Sequence, residues 1–295
     1  MMFLLEAVLK RALSGRVLLM NVLWVSSLFS GSINAQPTVS ASIQPLQLIA
    51  AALTDGISTP SLLLGKGQDP HHPSLKPSQR QAMADADILL WVGPNLEGSL
   101  EKVIVSLEAQ VLTLIKLDGL QTHLLRGGVD PHLWLNTYNA GVIAEALSQQ
   151  LIQLDSKNAE RYQSNLEDFQ TGLLALNTAI MASLSQHNKK PYAVYHNAFQ
   201  YYEQQFGLQH VVSFTDDEEL KPGIRQLLAI RETLEENQVA CLLVEPEVNV
   251  DELSNVVPLA NYVTVDVLGA DFSPSKTAYV DFMQALTNTM LECLR

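Results

Sequence analysis

Thr59-Pro60-Ser61-Leu62-Leu63-Leu64-Gly65-Lys66-Gly67-Gln68-Asp69-Pro70-His71 is the stretch whose reading decides the fold. A short apolar run ending at a glycine has the length and composition of a buried strand, here residues 59–64, and it leads through a glycine-bearing loop onto a histidine. Proline fixes φ and removes a backbone donor, so Asp69-Pro70-His71 holds its imidazole on a stiff turn. Just past the C-terminal end of a strand is where open α/β sheets place their ligands. The tripeptide returns as Asp130-Pro131-His132, followed by Leu133-Trp134, and a third histidine stands in Tyr195-His196-Asn197. A lone histidine more often caps a turn or fills a polar gap. The repeated tripeptide and the strand before His196 favour a ligand set instead, because three neutral imidazoles from separate segments bind zinc with a fourth position left open.

Both flanks of this stretch alternate strand and helix. Upstream, residues 38–42 read as a short strand and 45–53 as a helix ended at Asp55-Gly56. Downstream, Ser78 and Gln81 have capping-box spacing for a helix to about residue 86, and 88–92 and 111–114 are apolar strands. This order predicts a first lobe with a mainly parallel sheet. From Leu133 the period changes. Val142, Ile143, Ala146, Leu147, Leu151 and Leu154 share one helical face, and Tyr162, Leu166, Phe169, Leu173, Leu176, Ile180 and Leu184 recur at steps of three and four. Roughly 30 helical residues, about 45 Å at 1.5 Å each, stand between two sets of strands and read as a strut joining two lobes.

Beyond the strut the alternation resumes with a strand at 192–195 ending on His196, a helix at 198–206 stopped by Gly207, a strand at 210–214 and an acidic loop at 216–219. A helix at 223–237, a strand at 240–244 ending at Glu245-Pro246, a helix at 251–259, a strand at 262–265 ending at Asp266 and a helix at 276–294 complete the chain. His196, Glu245 and Asp266 therefore all fall at strand C-termini. The fold expected is α/β, with two lobes, each a mainly parallel sheet with flanking helices, joined by a long helix and holding a metal site in the cleft between them. The lobes are read as 36–155 and 189–295, with 156–188 as the linking helix.

Residues 1–35 read as an export signal: Lys10, Arg11 and Arg16, then an apolar run at 17–29, then small residues to a cleavage site near Ala35. The apolar run is shorter than the ~20 residues of a membrane span, and there is no cysteine near the cleavage site to carry a lipid. The expected location is a bacterial periplasm. Losing three basic residues and one acid with the signal moves the net charge from −13 to −15. That balance argues against nucleic acid, which needs a basic footprint, as a partner and mildly favours cations. Two cysteines, Cys241 and Cys293, are present, and in an oxidising compartment an even pair is expected to be bridged.

The chain resembles the periplasmic solute-binding proteins of zinc and manganese ATP-binding-cassette importers, on its zinc-uptake side. The segments that carry the resemblance are Ser42-Ile43-Gln44-Pro45-Leu46, Asp69-Pro70-His71 with Leu75-Lys76-Pro77-Ser78, Trp91-Val92-Gly93-Pro94, His132-Leu133-Trp134-Leu135, Tyr195-His196, Phe206-Gly207-Leu208, Leu220-Lys221-Pro222-Gly223, Glu245-Pro246 and Asp266-Val267-Leu268-Gly269. The resemblance implies a high-affinity receptor delivering Zn2+ to an inner-membrane permease with its cytoplasmic ATPase, acting as a monomer and not an enzyme. It implies His71, His132 and His196 as zinc ligands, and a bridge between Cys241 and Cys293. Manganese members tend to carry glutamate at the third ligand position and use an aspartate as the fourth. His196 therefore points to zinc, and Asp266 matches that aspartate, so Asp266 or Glu245 is expected as a fourth ligand or a supporting carboxylate. The long His- and acid-rich loop of many zinc members is absent. Residues 118–129 are short, with His123 their only histidine, and Asn197 stands where relatives often have aspartate.

Two alternatives remain open at this point: a manganese receptor of the same family, and a secreted zinc-dependent hydrolase. Against the hydrolase, there is no His-Glu-x-x-His helix and no nucleophile pattern. His72 is expected to be structural or solvent-facing, Trp134 to be a packed wall of the site, and His123, His187 and His210 to lie at surfaces.

Overall fold

The computed structural model describes residues 36–125, 128–187, 190–216 and 222–295. The expected export signal and residues 217–219 of the acidic loop lie outside these. In chain order the first sheet is built from β1 (Val39–Ala41), α1 (Gln44–Leu53), β2 (Ser61–Leu62), α2 (Pro77–Ala84), β3 (Ile88–Trp91), α3 (Pro94–Glu97), α4 (Glu101–Ile104) and β4 (Gln110–Thr113). A small hairpin, β5 (Leu124–Leu125) and β6 (Gly128–Val129), then leads to α5 (Thr137–Leu154) and α6 (Ala159–Leu184). The second sheet follows with β7 (Ala193–His196), α7 (Gln200–Phe206), β8 (Ser213–Thr215), α8 (Ile224–Glu236), β9 (Cys241–Val244), α9 (Val250–Ser254), β10 (Asn261–Thr264) and α10 (Ala278–Leu294).

Both sheets are wholly parallel, in the orders β2-β1-β3-β4 and β10-β9-β7-β8. Strands buried on two faces read as continuous apolar runs, and each face serves a different core. In β3, Ile88 and Leu90 face a central core while Leu89 and Trp91 face an outer one. In β7, Val194 faces the central core while Ala193 and Tyr195 face outward. The central core is shared by the two lobes: Leu46 of α1, Ile143 of α5, Phe169 of α6 and Tyr279 of α10 belong to one cluster with Leu90 of the first sheet and Leu243 of the second.

The linking helix α6 spans 26 residues, about 39 Å at 1.5 Å per residue, against the roughly 30 read from its period. A 3-10 turn, Ser156–Asn158, takes up the start, and there the Asp155 carboxylate accepts from Asn158 Nδ2 at 2.6 Å and Tyr162 OH at 3.2 Å. Two expectations for helix ends are corrected. Helix α2 begins at Pro77 and its box is closed by Gln79, whose Oε1 accepts from the Lys76 N–H at 2.7 Å, and not by Ser78 and Gln81. Proline at the first position of the helix lacks the donor left over there anyway and supplies the right φ. Helix α9 stops at Ser254 rather than 259, because Pro258 disfavours helix in the residue before it and cannot donate itself.

Cys241 and Cys293 are joined, with Cα atoms 5.5 Å apart. The bridge pins the end of α10 to β9 and closes a loop with a sequence separation of 52. Loop entropy gives such a closure at most about 4 kcal/mol. Among the described residues, no helix is long and apolar enough to cross a membrane.

Candidate metal centre

The second sheet lines up three polar groups by its strand order. His196 is the last residue of β7, Glu245 follows β9 directly, and Asp266 lies two residues past β10. Strands β7 and β9 pair Val194 with Leu243, and continuing that register sets His196 beside Glu245 on the central-core side. His196 is fully buried and Glu245 is 4% exposed, with His196 Nδ1 3.9 Å from Glu245 Oε1.

The first lobe supplies the other two imidazoles through one device used twice. In Asp69-Pro70-His71 the aspartate Oδ1 accepts from the His71 N–H at 2.8 Å, and in Asp130-Pro131-His132 the same atom accepts from the His132 N–H at 3.0 Å. Each aspartate side chain thus closes a turn over its proline and fixes the direction of the histidine two residues on. At the second turn Asp130 Oδ1 also lies 2.7 Å from His132 Nδ1. A carboxylate acceptor puts the proton on Nδ1, which leaves Nε2 as the lone-pair nitrogen.

His71, His132 and His196 converge, each offering one ring nitrogen, and these nitrogens all lie within 4.8 Å of one another. Ring centroids are 4.9 Å apart for His132 and His196, 5.5 Å for His71 and His196, and 5.8 Å for His71 and His132. They are the one such group of metal-ligating side chains among the described residues. The Trp134 ring stands 5.3 Å from that of His132 and is 1% exposed. Its Nε1 donates to Val267 O of the other lobe at 2.8 Å, so Trp134 is a wall of the site that also ties the lobes together.

The remaining sequence candidates are not among the three converging imidazoles. The Asp266 carboxylate accepts from the N–H groups of Leu268, Gly269 and Ala270 at 2.9, 2.9 and 2.6 Å, so it shapes its own loop. His72 is exposed, with Nδ1 3.1 Å from Asp69 Oδ2. His123, His187 and His210 are half-buried rather than at open surface: the His123 ring packs on Tyr201, and His210 Nδ1 meets Glu203 Oε1 at 2.8 Å.

Sequence reasoning passed over Asp130, buried to zero exposure, although its place two residues before a histidine was the available signal. It also passed over Glu97, a carboxyl in the first lobe pushed up to about 7 by burial, an effect partly offset by hydrogen bonds from Ser42 and from the backbone of Gly93 and Val92.

Two parallel-sheet lobes with three imidazoles meeting between them define a metal-binding protein built on a solute-receptor plan. The chain belongs to the ZnuA family, whose profile, described as zinc-uptake complex component A, periplasmic, matches residues 39–293. It is 31% identical over 293 residues to the high-affinity zinc uptake system protein ZnuA of Haemophilus ducreyi, covering 88% of this chain and 94% of that one. To the protein of the same name from Yersinia pestis it is 29% identical over 293 residues, covering 88% and 92%. In fold it is similar to the periplasmic zinc binding protein TroA of Treponema pallidum, with a TM-score of 0.77 at 16% identity, covering 88% of this chain and 99% of that one.

Proposed function

We propose that the protein is a high-affinity periplasmic zinc receptor, monomeric and without catalytic activity, that hands Zn2+ to an inner-membrane ATP-binding-cassette permease driven by a cytoplasmic ATPase. The observation that carries this reading is the triad of imidazoles within 4.8 Å. Zinc–nitrogen bonds of about 2.0–2.1 Å put tetrahedral ligand nitrogens roughly 3.4 Å apart, so closing on the ion takes side-chain shifts on the order of an ångström. His71, His132 and His196 are the ligands in this reading. An all-nitrogen set favours zinc over manganese, which prefers more and harder oxygen donors. Membership of the ZnuA family, and relatives named for zinc uptake, support the same choice of metal.

Three neutral ligands leave the double charge of the ion uncompensated. Glu245 beside His196 and Asp130 behind His132 are the buried carboxylates that lower the cost of holding it. Asp266, which also shapes its own loop, or Glu245 stands as the fourth ligand or a supporting carboxylate. With lobes at 36–155 and 189–295, joined by 156–188, the shared core and the continuous helix α6 limit closure to small shifts, since a wide hinge needs a few flexible residues to absorb the φ/ψ change.

The test is metal analysis of the purified protein with competition among zinc, manganese and cobalt, repeated on His71→Ala, His132→Ala and His196→Ala. Each variant is expected to weaken zinc by about a hundredfold or more, beyond the range for outer partners of a metal ligand. Undiminished zinc affinity in any of the three would remove that histidine from the ligand set.

A further inference from the structure

Resting on that zinc site, the geometry points to Tyr201 as a positioning residue for the metal: its hydroxyl ties the turn carrying His132 to the helix that follows His196, and so fixes the spacing of those two ligands across the lobes. Tyr201 lies in α7, five residues after His196, and is fully buried. Its OH donates to Asp130 O at 2.8 Å and accepts from the His123 N–H at 3.2 Å. Those two residues are themselves paired, Asp130 N–H to His123 O at 2.9 Å, one step beyond the β5–β6 register of Leu124 with Val129. The hydroxyl therefore grips both strands at the base of the hairpin. The same Asp130 holds the His132 backbone and ring through its carboxylate. Burial also pushes the Tyr201 phenol up, so the hydroxyl keeps its proton.

Helix α7 is well placed to act as the reference. Gln205 Oε1 accepts from the Thr137 N–H at 3.0 Å, and its Nε2 donates to Thr137 Oγ1 at 2.6 Å and Asn177 Oδ1 at 3.2 Å. These bonds lock α7 to the first residue of α5 and to the C-terminal part of α6, in the helical layer that both lobes share. The chain from Tyr201 through Asp130 to His132 passes only through hydrogen bonds between groups of zero or near-zero exposure. Such groups have no water to fall back on.

A matched control is built into the helix. Tyr202 is equally buried, and its OH meets Thr287 Oγ1 at 2.8 Å, a contact with α10 that does not lead to a ligand. Tyr201→Phe and Tyr202→Phe each keep the ring and lose one hydroxyl. The experiment measures zinc release to a chromophoric chelator, the visible spectrum of the Co2+-loaded protein and the thermal midpoint without metal. Tyr201→Phe is expected to speed zinc release about tenfold, the lower end of the range for groups that orient a ligating histidine, and to shift the Co2+ bands. Tyr202→Phe is expected to stay within about twofold of wild type with unchanged bands, although both variants lower the midpoint. His123→Ala removes the ring tilted against Tyr201 and leaves both hydroxyl bonds, so its Co2+ spectrum is expected to match wild type. Equal release rates and spectra for the two Phe variants would overturn the positioning role while the zinc site stands. A shift in His123→Ala as large as that in Tyr201→Phe would assign the effect to ring packing and overturn it too. Wild-type protein that binds no zinc would overturn both readings together.

Discussion

The two Asp-Pro-His turns are alike in sequence and unlike in setting. In both, the aspartate Oδ1 accepts from the N–H of the histidine two residues on. At the second turn Asp130 is fully buried and its carboxylate also takes the ring nitrogen of His132. At the first, the Asp69 side chain is 21% exposed and its second oxygen meets His72, whose side chain is 55% exposed. The tripeptide thus dictates the local turn, while burial decides what else the carboxylate holds. Asp130 takes the backbone and ring of one and the same histidine, whereas Asp69 divides its oxygens between the His71 backbone and the His72 ring. The two turns are accordingly anchored at different depths, one by a fully buried aspartate and one by an aspartate that reaches solvent.

The difference is largest when the aspartate is removed. Asp130→Ala is expected to lower zinc affinity toward the upper part of the roughly 10–100-fold range for partners of ligating histidines. It should also cost about 1–3 kcal/mol of stability without metal, because the His132 ring nitrogen and backbone N–H lose their acceptor in a buried place. Asp69→Ala loses a backbone bond at a partly exposed turn, and a few-fold loss of affinity with about 1 kcal/mol of stability is expected. Calorimetric zinc titrations and urea melts of the two variants side by side check this. Equal losses would mean that the ring contact contributes nothing beyond the turn.

How much of this contrast was legible beforehand follows from the range of the interactions. The turns, the strand ending on His196 and the alternation of each lobe depend on neighbouring residues, and proline, glycine and apolar period declare them. The placement of Glu245 beside His196 needed only strand ends and strand order. The β5–β6 hairpin was passed over, although Leu124-Leu125 and Gly128-Val129 around a glycine-containing pair of residues carry a hairpin signal. The bond from Tyr201 to Asp130 joins residues 71 apart in sequence, and nothing local announces it. Likewise, the half-burial of His123 depends on Tyr201 arriving from a helix in the second lobe.

Glu97 sharpens the comparison as a buried carboxylate with no imidazole beside it. Its neighbours are Ser42 and the backbone of Gly93 and Val92, and burial raises it from 4.5 to about 7. The folded state then holds this proton more tightly than the unfolded chain does. The stability it contributes is fully present below about pH 4.5 and is lost as pH rises through about 7. With each tenfold difference in proton affinity worth roughly 1.4 kcal/mol, that contribution is on the order of 3 kcal/mol. Glu97→Gln, which mimics the protonated acid, is expected to match wild type near pH 4.5 and to exceed it in stability at about pH 8, with little change in zinc affinity at neutral pH. Denaturant melts across that range test it. Parallel pH profiles for the two proteins would show that the Glu97 carboxyl is solvated in the native state.

The smallest effect is expected at the residue that most resembles a ligand in the sequence. His72 adjoins His71, and a shared role is the obvious reading of two consecutive histidines. In the structure they part: His71 joins the imidazole triad, whereas His72 turns outward to Asp69 Oδ2. Adjacent residues on a turn project in different directions, so both rings cannot face one ion without undoing the turn that positions the first. The contact of His72 with Asp69 lies at a partly exposed turn, and surface pairs contribute about 0–1 kcal/mol. The His71 N–H uses the other carboxylate oxygen and keeps its bond when His72 is gone. His72→Ala is therefore expected to change zinc affinity by less than about threefold, through slightly looser anchoring of Asp69. If His72→Ala proved as damaging to zinc binding as His71→Ala, the first turn would be presenting the wrong imidazole, and the contrast between a buried and a part-exposed Asp-Pro-His turn would have to be redrawn around His72.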